Sequence, residues 1–159
     1  MKTKIAAALW SLNYLGSEQL PEIAAAWLEQ GLSSPTMNIL AGESQPMMSE
    51  VGPMFQRVLH ELNVNIPSQA EAAGLLSKTI AQEIVDGKKS PNVGAEKIWS
   101  LATDWEDANI PLAFAGLASE HEDFRDYQHQ KYYGEEYCKK VLWEIEQQII
   151  NDARKLLAD

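Results

Sequence analysis

The residues best equipped for chemistry lie in one run, Glu120-His121-Glu122-Asp123-Phe124-Arg125-Asp126-Tyr127-Gln128-His129. If that run is one continuous helix, Glu122, Asp126 and His129 fall at i, i+4 and i+7 and share a face, where two carboxylates and an imidazole suit a divalent transition metal. A cation held there would activate water, the chemistry of a small metal-dependent hydrolase. The set is one ligand short of a standard site, His121 points about a quarter-turn away, and no HExxH or paired ExxH motif supplies the rest. The commoner use of such a run is a solvated acidic face laced by intrahelical pairs, Glu122 or Asp123 with Arg125 and Asp126 with His129.

Asp104-Trp105-Glu106-Asp107 offers recognition rather than catalysis. An aromatic ring among carboxylates can anchor a basic partner, because the ring supplies buried area and the charges steer the approach. Joined by Glu120, Glu122, Asp123 and Asp126, this loop would form one acidic surface. The plainer alternative packs Trp105 on its own domain and uses Asp104 and Asp107 as helix caps.

Other reactive types carry weaker signals. Gly87-Lys88-Lys89-Ser90 ends like a phosphate loop but lacks the preceding GxxxxG and a strand before it. His60 has no Cys or Ser partner at motif spacing and reads as a surface or core-edge residue. Cys138, the single cysteine, excludes an intrachain disulfide and is expected buried and inert beside Glu135 and Glu136. Met37, Met47, Met48 and Met54 suit either an adaptable groove or, as expected here, ordinary filling beneath an irregular loop.

Charge narrows the class of partner. The net charge is −10, and from Leu101 onward the chain holds 13 of its 23 carboxylates but only 6 of its 13 basic groups. Such a surface repels nucleic acid and anionic lipid and favours basic proteins or cations, so neither nucleic acid nor a membrane is expected as a partner.

The elements that must position these residues read as helices almost throughout. Helices are predicted from Thr3 to Leu15 with Gly16 as the stop, from Ser17 or Leu20 to Gly31 with Pro21 in the first turn, and from Ser34-Pro35 to Gly42. Gly52-Pro53 should break the next segment, leaving a helix over Pro53 to Leu62. Ser68 and Glu71 form a capping box opening a helix that ends at Gly87. Ser90-Pro91 and Pro111 start two more, the second running into Asp126. The last helix starts near Glu135 and sets Tyr137, Val141, Leu142, Ile145, Ile149, Ala153 and Leu156 on one side. Its heptad-like spacing also admits a homodimer. No stretch alternates with a period of two, so no sheet is expected.

The reading is therefore an all-α chain, an irregular orthogonal bundle of about seven or eight helices in a single domain over residues 1–159. Trp10 and Trp27 sit in similar surroundings, but later segments keep no fixed period, which argues against a solenoid. MKTKIAAALWSLNYLG reads as an amphipathic first helix rather than a signal peptide, since Trp10, Asn13 and Tyr14 interrupt its apolar part.

The stretch IAQEIVDGKKSPNVGAEKIWSLA, the acidic loop after it, IPLAFAGLASEHED and the carboxylate-rich closing helix resemble a broad set of small acidic all-helical bacterial proteins with no established activity. The resemblance covers most of the chain and implies the helical fold and a bacterial, cytoplasmic setting. It implies no catalytic residue. The expected function is a non-catalytic protein-binding module, such as an acidic inhibitor or immunity-type protein for a basic partner, using Asp104, Trp105, Glu106, Asp107, Glu120 and Asp123 and needing no cofactor. The alternative is a helical metal-binding protein or metal-dependent hydrolase with a divalent transition metal on Glu122, Asp126 and His129.

Overall fold

The structure, a computed structural model, describes residues 1–158, the side chain of Tyr127 excepted. Among the described residues the chain is all-α, with no strand: α1 Thr3–Ser11, α2 Gln19–Glu29, α3 Pro35–Ala41, α4 Met48–Glu61, α5 Gln69–Val85, α6 Pro91–Asp104, a 3-10 turn Glu106–Ala108, α7 Ala113–Arg125, α8 Tyr127–Tyr133 and α9 Glu135–Ala158. The helix beyond the expected count is α8. No helix among the described residues is long and apolar enough to cross a membrane. The chain forms two compact units, Met1–Ala72 and Ala73–Asp159, and the division falls inside α5.

The first unit is organised around aromatic rings. Trp27 on α2 is fully buried and stacks on Phe55 of α4, centroids 5.8 Å apart, while Trp10 of α1 tilts against the same Phe55 at 5.5 Å. The indole N–H of Trp27 donates to the Met1 carbonyl at 2.7 Å, so the ring is buried without an unmet polar group. Leu20, Ile23, Met37, Leu40, Val51, Val58 and Leu59 close the cluster. Met37 is core and Met54 packs against it, whereas Met47 and Met48 are exposed.

Two helix boundaries differ from expectation, for separate reasons. α1 stops at Ser11 rather than Leu15 because Asn13 adopts φ 57, and the Tyr14 N–H then closes the end on the Leu9 carbonyl at 2.9 Å. Asparagine tolerates the left-handed region that glycine was expected to supply at Gly16; Asn63 repeats the device at the end of α4. α4 itself runs through Gly52-Pro53, the expected break. Pro53 removes one bond, to Ser49, where both residues face solvent, while the burial of Val51, Phe55, Val58 and Leu59 holds the helix together. Gly52 gives Trp10 room to approach: a Cβ there would stand 3.2 Å from Trp10 Cη2, a tight contact.

A carboxylate ties α4 to α3. Glu61 accepts from the Thr36 hydroxyl at 2.6 Å, the Thr36 N–H at 3.1 Å and Arg57 Nε at 3.2 Å. The Thr36 hydroxyl, then the Ser34 hydroxyl, with smaller help from the Thr36 N–H and Arg57, hold the Glu61 carboxyl at about 2. Ser34 also caps α3, accepting from the Met37 N–H at 3.2 Å.

In the second unit α6 packs on α7 and α9, and α8 lies on both α7 and α9. Ile98, Leu101 and Ala102 of α6, Phe114 and Ala118 of α7, and Cys138, Ile145, Ile149, Ala153 and Leu156 of α9 are buried. At the end of the first unit the capping box opens α5 as expected, Ser68 N to Glu71 Oε2 at 2.8 Å and Glu71 N to Ser68 Oγ at 3.3 Å. Gly87 ends the helix at φ 69. Lys88 and Lys89 turn back to Asp86 and Glu83, each at 2.9 Å, so the segment resembling a phosphate loop is a helix end with its cations committed. Gly94 on α6 meets Ile84 of α5 so closely that a Cβ would overlap the isoleucine side chain.

Two predictions follow from this packing. Because the Glu61 carboxyl sits below its ordinary 4.5, its contribution to stability is complete above that pH and lost as pH falls towards 2. Urea unfolding across a pH series should therefore find Glu61→Gln less stable than the wild type at neutral pH, with the gap closing between about pH 4.5 and 2. Gly94→Ala should cost about 1–3 kcal/mol by overpacking against Ile84, read as a lower thermal midpoint.

Candidate functional site

The acidic run singled out by its chemistry is divided by burial and by a break in the helix. On α7 the residues Phe114, Ala118 and His121 form the inward row at four- and three-residue steps. His121 is only 5% exposed, and its Nε2 lies 3.3 Å from Glu146 Oε1 on α9, so the imidazole is a core residue fastening α7 to α9. With His121 inside, the helical period turns its neighbours Glu120, Glu122 and Asp123 outward, and all three are exposed. Among the described residues none of the three joins an ion pair.

The helix ends at Arg125. Asp126 takes an extended conformation (φ −64, ψ 139), and its Oδ1 accepts the Gln128 N–H at 2.7 Å, which caps α8. The single helical face that would have joined Glu122, Asp126 and His129 does not form, because an aspartate at this position gains more as an N-cap than as a mid-helix residue. Among the described residues no three His, Cys, Asp or Glu side chains are grouped to hold a metal ion. The pairs expected with Arg125 and His129 are also missing from the ion pairs of the described residues.

What the break assembles is an array of rings. His129 of α8 lies nearly parallel to Tyr133 at 5.9 Å, and both lean on Phe124 of α7, at 5.8 and 6.1 Å. Gly134, at φ 90, then admits the turn into α9, which brings Tyr137 to 5.8 Å from Tyr133 and 6.4 Å from Phe124. Tyr132 meets Tyr133 edge-on at 4.8 Å. Phe124 and His129 are half-buried, whereas Tyr132, Tyr133 and Tyr137 are 82%, 50% and 52% exposed. The array thus has a packed base and an open rim.

Carboxylates lie on the same elements. Glu120, Glu122 and Asp123 project to solvent from the last turns of α7, where the helical period sets Glu120 on the side of Phe124 and Glu122 nearly opposite it, and Glu135 and Glu136 open α9 and pair with Lys139 at 2.8 and 3.3 Å. Lys139 holds the Glu135 carboxyl below its ordinary range. The loop around Trp105 sits elsewhere. Asp104 ends α6, Trp105 is half-buried, and Glu106 and Asp107 are exposed on the 3-10 turn that leads towards the N-terminal end of α7. Glu120 and Asp123 lie towards the other end, roughly 10–15 Å along the axis from the first residue of α7 at 1.5 Å per residue. Neither Asp104 nor Asp107 caps a helix: the flanking starts, at Trp105 and Leu112, have no side-chain cap.

Sequence reasoning found the charges and missed the rings. The available signal was the density of one residue type, since four of the five tyrosines fall at positions 127, 132, 133 and 137. His60, read as peripheral, is exposed on α4 and lines an open hollow of about 360 Å³ with Gln56, Asn63, Val64, Asn65 and Ile66. Cys138 is buried as expected.

Compared with protein-family models, with curated proteins and with solved structures, the chain matches none.

Gly134 holds the array in register, since φ 90 is a conformation other residues adopt only under strain. Gly134→Ala should cost about 1–3 kcal/mol in stability and reduce the near-ultraviolet circular dichroism of the tyrosines, both measurable on the purified protein.

Proposed function

We propose that this protein is a non-catalytic binding module that engages a basic protein through the tyrosine array and its flanking carboxylates, as an inhibitor or immunity-type protein would. The observation that carries the reading is the exposure of Tyr132, Tyr133 and Tyr137 as contacting rings rather than as isolated side chains. Contiguous exposed aromatic surface is unfavourable in water and is a common mark of a protein interface, where tyrosine supplies buried area with little side-chain entropy to lose. The half-buried Phe124 and His129 support the rings from behind, which favours a preformed anchor.

Charge supplies the second half of the reading. Glu120, Glu122 and Asp123, exposed and in no ion pair among the described residues, put negative charge on the helix that supports the array, which attracts cationic surfaces and speeds their approach. Glu106 and Asp107 add negative charge beyond the other end of α7 and act on encounter rather than on the docked complex. Trp105, half-buried, serves its own unit more than an anchor's role.

The test is retention of proteins on the immobilised full chain, compared with a variant carrying Tyr132→Ala and Tyr133→Ala and another carrying Glu120→Gln and Asp123→Asn. A basic protein retained by the wild type should be lost from the tyrosine variant at every salt concentration, and should leave the carboxylate variant at lower salt than the wild type. Equal retention by all three chains would remove this surface from consideration.

A further inference from the structure

We infer that the segment received by the tyrosine array is arginine-bearing, and that the array discriminates arginine from lysine. The inference rests on the proposed reading of this corner as the partner-binding surface and adds to it the side chain that is recognised.

The geometry of the rings carries the argument. Tyr132 and Tyr133 stand almost perpendicular, at 79° with centroids 4.8 Å apart, so together they form a shelf and a wall. Tyr133 and Tyr137 lie within 32° of parallel at 5.8 Å and extend the same surface along α9. A guanidinium is flat and weakly hydrated; it stacks on an aromatic face while its N–H groups, directed outward in the plane, reach carboxylates at the edge. An ammonium has no face to stack, and it gives up a tightly held hydration shell to approach a ring.

The carboxylates sharpen the preference. Lys139 already bridges Glu135 and Glu136, so those two carboxylates are committed within α9 and the acceptors open to a ligand lie on α7. Glu120 and Asp123, one turn and one residue before Phe124, are exposed and, among the described residues, in no ion pair, which leaves acceptors suited to the two-pronged hydrogen bonding that arginine provides. Tyr132, the most exposed ring, is the residue on which discrimination should depend most.

The experiment titrates the full chain with two synthetic peptides of equal length and charge, one alternating glycine with arginine and one alternating glycine with lysine, at fixed low ionic strength. The arginine peptide should bind about five- to tenfold more tightly, a ratio that Tyr132→Ala abolishes and Tyr132→Phe, which keeps the ring face, preserves. Equal affinities would overturn the inference while leaving the acidic surface in place, provided that Glu120→Gln with Asp123→Asn weakens both peptides. Failure of both peptides to bind would overturn the inference and the reading beneath it. Light scattering on the same samples covers the other occupant: a dimer that Tyr132→Ala converts to monomer would make a second copy of this chain the ligand and overturn the inference.

Discussion

Two interruptions of a helical path, at Asp126 and Gly134, decide what the second unit presents to solvent. Asp126 leaves the helical region at ψ 139, and Gly134 turns the chain at φ 90. Between them α8 is too short to be stable by itself and depends on its packing against α7 and α9. Phe124 before the first break, His129 and Tyr133 between them, and Tyr137 after the second therefore converge from three helices. A continuous helix would have spread the same residues along its axis.

The two units use aromatic residues differently. In the first, Trp27 and Phe55 are fully buried, Trp10 rests against them, and the polar edge of Trp27 is met by the Met1 carbonyl. In the second, the interior is made chiefly of Ile, Leu and Ala with Phe114, and Tyr132, Tyr133 and Tyr137 lie on the outside. Tyrosine tolerates that position because its hydroxyl remains hydrated while its ring stays available for contact. What sets these three apart from the exposed Trp99 and Trp143 is that they touch one another.

Acidity acts in two ways. Some carboxylates are structural, as with Glu61 at the start of α3, Glu71 in the capping box, Asp126 at α8 and Glu146 against His121. Others, Glu120, Glu122 and Asp123 among them, point outward with no ion pair among the described residues and contribute to the field around the molecule. Composition alone counts both groups together. The separation comes from burial and hydrogen bonding, and it divides a run that reads as uniformly charged.

The amino-acid sequence by itself determined the all-α class, most helix positions and the negative field, because helical periodicity, Ser68 with Glu71, Gly31 and Gly87 act over a few residues. It misjudged Gly52-Pro53, since the burial of α4 against the Trp10 and Trp27 cluster lies outside the reach of a local rule. It could not decide between cap and ligand for Asp126, nor between core and surface for His121, because each choice rests on what another helix brings near. Tertiary structure alone settled that His121 meets Glu146 across α7 and α9, and that Tyr133 and Tyr137 gather around Phe124 with Tyr132 edge-on to Tyr133. Contacts between residues far apart in sequence depend on chain path and packing, which periodicity constrains but does not specify.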